Sequence, residues 1–552
     1  MSYAAPLADI RFALEHVADI WADAHEELDP DLLTAILEGA AALASQTLAP
    51  LNRVGDAAGV TLANGVLTAA PGFKEAHAEF AAGGWQGLAA DPAYGGQGLP
   101  QSVALAVYEM IHAANMSFGL APMLTLGAIE ALQLHASDEL RARYLPKLVS
   151  GEWTGTMNLT EPHAGSDLGV LTTKAEPSAD GTFRLTGTKI FITWGEHDLT
   201  DNIVHLVLAR MPDAPAGSKG ISLFLAPKIL PDGSRNALRC IGIEEKMGIH
   251  ASPTCSMAYE GATAWLVGAE NRGLAAMFTM MNAARLNVGL EGVAVAEAAY
   301  QKALAYAKER KQGGAMIVDH PDVRRMLVLM KAKTQAARAI CYATAAAADR
   351  GDGAREDLFT PIAKAWSTDW GCEAASLGVQ IHGGMGYVEE GGAAQFYRDA
   401  RIAPIYEGTN GIQAIDLIGR KLQGDGGEAM RSLIAEMRAV AAEAMDTERT
   451  TLSAAAMRLA QAADALNEAT DYMLRAERRD ALAGASAYLT LAGDALGGML
   501  MVRALLRTSD PAREALASFY AESILATAHA TLVRIRLGAD KLFDEALSEF
   551  AL

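Results

Sequence analysis

The sequence predicts a mostly α-helical protein with a β domain set in its middle. Three observations predict it. Alanine is abundant and aromatic residues make up only 6% of the chain, a composition that favours helices over sheet. Near Trp153 the texture changes, and short β-branched runs bounded by Gly, Asp and Pro replace apolar residues at helical spacing. Helical spacing returns near residue 270 and holds to the end. With 552 residues, 51% of them hydrophobic, the chain exceeds one ordinary core, and two to four domains are expected.

Residues 1–152 read as an N-terminal helical domain. "PDLLTAILEGAAALASQTLAPLNR", "QSVALAVYEMIHAANMSFGL" and "DELRARYLPKLVSG" carry its helical pattern, and the Gly/Pro-dense "GGWQGLAADPAYGGQGLPQS" is a loop. Residues 153–270 form a β domain, with strands in "GTFRLTGTKIFIT", "DNIVHLVLARM" and "KGISLFLAPK". Residues 271–424 are helical again, with long helices near 321–350 and 357–380. "QGDGGEAM" (423–430) reads as a linker. Residues 425–552 then form a C-terminal helical extension in which four segments fit a small bundle. In its first helix Met430, Leu433, Met437 and Val440 share a face.

A net charge of −20 and a pI near 5.1 argue against nucleic acid and anionic membranes as partners, since both need a basic surface. Cys240, Cys255, Cys341 and Cys372 form no Cys-x-x-Cys pair, which favours reduced thiols over disulfides or a metal site. No secretory signal pattern and no transmembrane helix are expected.

Six stretches hold candidate chemistry, each with a plain structural alternative. In "MNLTEPHAGSD", Thr160, Ser166 and the backbone near Gly165 offer short donors, or a turn with a helix cap. In "GTKIFIT", alternation places Phe191 and Thr193 on one face, where they flank a flat ring or simply half-buried sheet. Arg310, Lys311 and Gln312 of "YAKERKQGG" end a long helix, as complement to its dipole or as a phosphate clamp. "GVQIHGGMGY" lets backbone approach a ligand closely. It is not G-x-G-x-x-G after a strand, and His382 alone reads as a satisfied local histidine. Arg285, in the mostly apolar "MMNAARLNVG", needs an anionic partner from protein or ligand. Glu407 of "IYEGTNGIQ" is either a turn residue or a base kept dry.

Together with "GLAADPAYGGQGLP", these stretches resemble the acyl-CoA dehydrogenase family, in order, over most of residues 35–420. The helical tail and "MMNAARLNVGLEGVA" are similar to its larger bacterial branch, which includes broad-range acyl-CoA and methylthiopropionyl-CoA dehydrogenases. The resemblance implies an α, β-barrel, α four-helix architecture with an added C-terminal bundle. It implies FAD between the β domain and the third domain. The implied reaction is α,β-dehydrogenation of an acyl-CoA to the trans-2-enoyl-CoA, with Glu407 taking the α-proton and the β-hydride passing to flavin N5. Electrons would then leave to an electron-transferring flavoprotein.

By the same resemblance, Leu159 and Thr160 meet the flavin ring, Ser166 meets FAD and CoA, and Phe191 and Thr193 flank the ring. Arg310 and Gln312 reach the FAD pyrophosphate, and Gln380 and Gly384 the adenosine end. In the family these four come from a neighbouring subunit, which implies a homodimer. Thr409 contacts FAD, Gly408 admits the thioester, and Asn282 and Arg285 lie toward CoA. Some relatives carry the base where Ala284 stands here, which sharpens the assignment to Glu407. Departures fall at Phe191, Gly313, Asn282 and Gly411. Small Ala283 and Ala284 leave room for a long or bulky acyl group. A cytoplasmic location is expected. The rivals are an acyl-CoA oxidase using O2 and a DNA-binding flavoprotein of the same fold; the mixed charge of the extension, with Asp464, Glu477 and Asp480 among its arginines, disfavours the latter.

Overall fold

The computed structural model describes residues 3–22, 28–63, 65–544 and 547. The chain divides into two compact units, one built from residues 26–287 with 2–5, the other from 6–25 with 288–552.

In the first unit, the stretch "QSVALAVYEMIHAANMSFGL" is not one helix but two, Gln101–Ala114 and Met116–His135. Asn115 makes the break. Its backbone is extended, and its side-chain oxygen accepts from Phe118 N at 3.1 Å, capping the second helix. The third helix, Asp138–Val149, is capped by Ser137. Among the described residues, three spans, Pro30–Ala58, Met116–His135 and Arg478–Leu506, are long and apolar enough to cross a membrane by length and composition. The sequence reading expected no transmembrane helix, whereas these spans meet that length and composition, Met116–His135 while carrying Glu130. The apolar stretches of the last two are 78% and 83% buried inside the protein, the state in which a helix is apolar on every side.

Seven strands follow: β1 (Thr154–Asn158), β2 (Lys174–Pro177), β3 (Phe183–Thr193), β4 (Ile203–Arg210), β5 (Ile221–Pro227), β6 (Leu238–Ile243) and β7 (Thr254–Val267). β4 pairs β2, β2 pairs β3, β3 pairs β7, β7 pairs β5, and β5 returns to β4. The ring of pairings closes, so the domain is a barrel, with β1 added along β4 and β6 along β7. Leu185, Ile192, Val207, Phe224, Met257 and Tyr259 fill its core.

The second unit contains most of helix Gly273–Glu309, in which the division between units falls, and helices Pro321–Asp349 and Gly353–His382. Two of these helices meet along glycines. A Cβ on Gly289 would stand 2.6 Å from Ala363 O, one on Gly292 would stand 2.2 Å from Ser367 O, and one on Gly371 would stand 2.9 Å from Gly292 Cα. Backbone lies on backbone, and only glycine fits. Among the described residues the extension has five α-helices rather than four: Glu428–Met445, Thr450–Arg475, Arg478–Leu506, Pro511–Ser523 and Ala528–Ile535. Met430, Leu433, Met437 and Val440 are all buried, as their spacing predicts. Trp366 Nε1 donates to Asp494 Oδ1 of the extension at 2.9 Å, and Gly493 makes room for the indole, since a Cβ there would meet Trp366 at 2.4 Å.

Candidate active site

In the first unit, strand β1 ends at Asn158 and hands the chain to the loop carrying Leu159, Thr160 and Ser166. This loop is pinned from below by a buried ion pair. Lys189, inside β3, donates to Leu159 O at 3.0 Å and Glu161 Oε1 at 2.9 Å. Glu161 also accepts from the backbone and hydroxyl of Thr172 and Thr173 at 2.5–2.9 Å. Burial pushes the Glu161 carboxyl up, but Lys189 and these donors outweigh it and hold the pKa at about 2. Ile190 N donates to Thr160 O at 2.9 Å, closing the loop onto the strand.

Phe191 and Thr193 do not sit in plain alternation. The β3–β7 register shifts between Lys189 and Ile192, and Phe191 takes φ 60°, a left-handed conformation costly for an aromatic residue. The bulge leaves 57% of Phe191 uncovered. The structure therefore brings an exposed flat ring and the half-buried Thr193 onto the strand stapled to Thr160. Ser166 is exposed on the far part of the loop, before a short 3-10 turn capped by Asp167. Arg285 is buried in helix Gly273–Glu309, with Nη1 3.4 Å from Asn282 Oδ1 and its guanidinium over the Phe278 ring. Ala284 is buried beside it and Ala283 half-buried.

In the second unit, Arg310, Lys311 and Gln312 do not end the helix as expected. The helix stops at Glu309, and Lys311–Gln312 (β8) pair with Ala315–Met316 (β9) as a hairpin. Gly313 and Gly314 form its turn at φ 59° and 84°, a left-handed pair that explains glycine at the first position. Arg310 and Gln312 are exposed there, as are Gln380 and Gly384 at the end of helix Gly353–His382. His382 is satisfied locally, with Nδ1 2.7 Å from Gly378 O, and its ring stacks on Tyr306 at 4.4 Å. That stack joins the helix ends carrying the two pairs.

The loop around Glu407 is held by hydrogen bonds from several sides. Glu407 has φ 54° and Gly408 φ 84°. Two successive left-handed residues turn the chain sharply, and both of their carbonyls are claimed. Lys364, fully buried in helix Gly353–His382, donates to Gly408 O and Asn410 Oδ1, both at 2.8 Å. Asn410 returns its amide to Ala365 O, Thr368 Oγ1 and Asp369 Oδ1 at 2.7–3.1 Å. Gln413 Nε2 reaches Glu407 O at 3.1 Å, and Thr409 caps helix Asn410–Asp416 through Ile412 N at 3.3 Å. On the other side, the Tyr406 hydroxyl donates to Glu291 Oε2. The sequence reading named Glu407, Gly408 and Thr409 as candidates and did not name Lys364, Asn410, Gln413, Tyr406 or Glu291 among them. Lys364 lies more than forty positions from the loop it holds, and no local pattern marks it.

The class of protein is a flavin-dependent oxidoreductase, which the comparisons identify by family. The sequence matches "Acyl-CoA dehydrogenase, N-terminal domain" over residues 30–152, the "middle domain" over 156–262, the "C-terminal domain" over 271–423, and "Acetyl-CoA dehydrogenase C-terminal like" over 433–545. The chain belongs to the acyl-CoA dehydrogenase family, whose members are FAD-binding oxidoreductases. It is 44% identical to the 3-methylmercaptopropionyl-CoA dehydrogenase of Ruegeria pomeroyi, across 99% of this chain and 100% of that one. Among solved structures it is similar to butyryl-CoA dehydrogenase of Megasphaera elsdenii, with 28% identity and a TM-score of 0.64 over 72% of this chain and 99% of that one. It also shares the fold of ACDH-11 from Caenorhabditis elegans, with a TM-score of 0.83 over 99% of this chain and 96% of that one at 20% identity.

The residues present fit FAD. The uncovered face of Phe191 and the hydroxyls of Thr160 and Thr193 suit a flat, hydrogen-bonding ring system, and exposed Arg310 suits a diphosphate.

Proposed function

We propose that the chain dehydrogenates an acyl-CoA between Cα and Cβ, with Glu407 as the base that takes the α-proton. The observation that carries this reading is the Glu407–Gly408 turn, whose strained backbone is held by buried Lys364 and by Gln413. Backbone strain persists only where its surroundings over-determine it, and such places cluster at functional sites.

The α-proton of a thioester is a weak acid, so the base must be aimed and the carbonyl polarised in a site closed to water. The Lys364 clamp fixes the direction from which the Glu407 carboxylate approaches. Gly408, with no side chain, leaves the backbone open to the thioester, and the Glu407 N–H is the donor for its oxygen. Leu159, Thr160, Ser166, Phe191, Thr193 and Thr409 are assigned to FAD, with Arg310, Gln312, Gln380 and Gly384 holding it across a homodimer. Bound FAD supplies the acceptor for the hydride leaving Cβ. Arg285 and Asn282 face the CoA portion. An electron-transferring flavoprotein is the assigned electron acceptor.

The full-length similarity to a 3-methylmercaptopropionyl-CoA dehydrogenase supports a short, thioether-bearing acyl group as first substrate to test. Rates across a chain-length series that includes this thioester, read with an artificial acceptor, decide the acyl group. For the mechanism, Glu407→Gln is expected to keep FAD and acyl-CoA binding while anaerobic flavin reduction is lost. Reduction at the parent rate would overturn the assignment, and peroxide formed in step with turnover would make the enzyme an oxidase.

A further inference from the structure

Glu291 is a second carboxyl beside the proposed base that no part of the above reaction uses. It lies in helix Gly273–Glu309, between Gly289 and Gly292, on the stretch seated against helix Gly353–His382. It is fully buried. One oxygen accepts from the Tyr406 hydroxyl. The other, Oε1, has no hydrogen-bond partner among the described residues. A buried carboxylate with a bare oxygen is costly, whereas the neutral acid carries no charge to desolvate.

Three ionisable groups face it. Tyr406 and Glu407 come from the loop and Lys364 from helix Gly353–His382. Burial drives the Glu291 pKa up to about 8, the negative charge of Glu407 adds to the rise, and Tyr406 and Lys364 oppose it. The Tyr406 hydroxyl is itself pushed well above its usual range by burial and by Glu291, so it stays a donor.

Building on the assignment of Glu407 as base, we propose that Glu291 is a positioning residue for it, tying Tyr406 to the helix and forming with Glu407 a pair of carboxyls that share one negative charge. While Glu291 keeps its proton, the charge rests on Glu407. The anchor at Tyr406 and the clamp at Lys364 then hold the turn from opposite ends of three consecutive residues. Interacting carboxyls ionise in two macroscopic steps that belong to the pair. Proton abstraction therefore carries a second ionisation at higher pH that a lone base would lack.

The test uses full-length, FAD-loaded protein and acyl-CoA-driven anaerobic flavin reduction across about pH 6 to 9, the range in which such a pair titrates. The parent is expected to show two ionisations in the rate profile. Glu291→Gln keeps an acceptor for Tyr406 but cannot ionise, and it is expected to lose the upper ionisation alone. Infrared spectra of the same proteins, taken without substrate, should show a protonated buried carboxyl band at neutral pH that is absent from Glu291→Gln. Tyr406→Phe is expected to slow reduction about tenfold, equivalent to ~1.4 kcal/mol, with flavin content retained. A Glu291→Gln profile superimposable on the parent, or no carboxyl band in the parent, overturns the proposal. Loss of reduction in Glu407→Gln is scored separately, so failure of the base assignment cannot be mistaken for failure of the pair.

Discussion

At the scale of single residues, Glu407 carries a conflict between stability and chemistry. A left-handed backbone at a non-glycine residue costs about 1–2 kcal/mol, and Glu407 sits at φ 54°. Glycine would adopt this conformation without that cost, though it loses some chain entropy on folding. Glu407→Gly is therefore expected to unfold at the same or slightly higher denaturant concentration than the parent, by up to about 1 kcal/mol, while reducing no flavin. An activity assay and a denaturation curve on one preparation check both halves. A clear loss of stability would mean that the Glu407 side chain, rather than the clamp on its backbone, holds the turn. The sequence made Glu407 visible because its neighbours form a compact motif. It hid Glu291, because an acid between two glycines in "GLEGVA" looks like an ordinary solvated helix position. Only the packing of a second helix over those glycines buries it.

At the scale of elements, the loop and its helix form one unit through Lys364. Its ammonium is fully buried and serves Gly408 O and Asn410 Oδ1. Replacing Lys364 with Met keeps most of the volume but takes the short donor from both oxygens, leaving Gly408 O only Gln413 Nε2 and Asn410 Oδ1 only Thr368 Oγ1, each at 3.3 Å, against a cost of about 1–3 kcal/mol for each buried group left without a good partner. Lys364→Met is thus expected to lower stability by about 2 kcal/mol or more and to slow flavin reduction without abolishing FAD binding. Chemical denaturation and a flavin titration measure the two. Unchanged stability would show that water or another donor replaces the ammonium. Helices and strands with clean periods were legible in order, including the face made by Met430, Leu433, Met437 and Val440. The breaks were not. Asn115 ends one helix and caps the next within an unbroken apolar run. The bulge at Phe191 follows from pairing with β7, the longest strand, whose "TCSMAYEGATAWLV" has no alternation strong enough to announce it.

Across the molecule, buried histidines couple the stability of the fold to acidity. His77, His112, His197 and His205 are all buried in the first unit. Burial holds His77 down to about 4, His112 and His205 to about 3, and His197 well below its usual value, with Lys228 adding to the effect on the last two. The His197 ring shows why it stays neutral. Leu199 N donates to its Nδ1 at 3.2 Å, so the proton sits on Nε2, which donates to Thr154 Oγ1 at 2.8 Å. The unfolded chain takes up protons on these rings near pH 6.5 and the folded chain does not. Their contribution is complete above about pH 6.5 and falls as pH drops toward 4 and below, by up to about 1.4 kcal/mol per pH unit for each ring. Denaturation midpoints measured from pH 7 down to about 4.5 should decline steadily over this window. A flat midpoint would mean that the rings are already protonated in the fold.

The glycine seam between helices Gly273–Glu309 and Gly353–His382 has a consequence for how this protein can change. Side-chain contacts drift when their residues are exchanged, but two backbones already touching have nothing left to exchange. Glu291 rides on one side of the seam and Lys364, with its loop, on the other. The spacing of the two helices at this seam is set by main chain against main chain. Exchanging side chains elsewhere leaves this backbone contact in place, so the seam acts as a fixed gauge for the proposed pair of carboxyls.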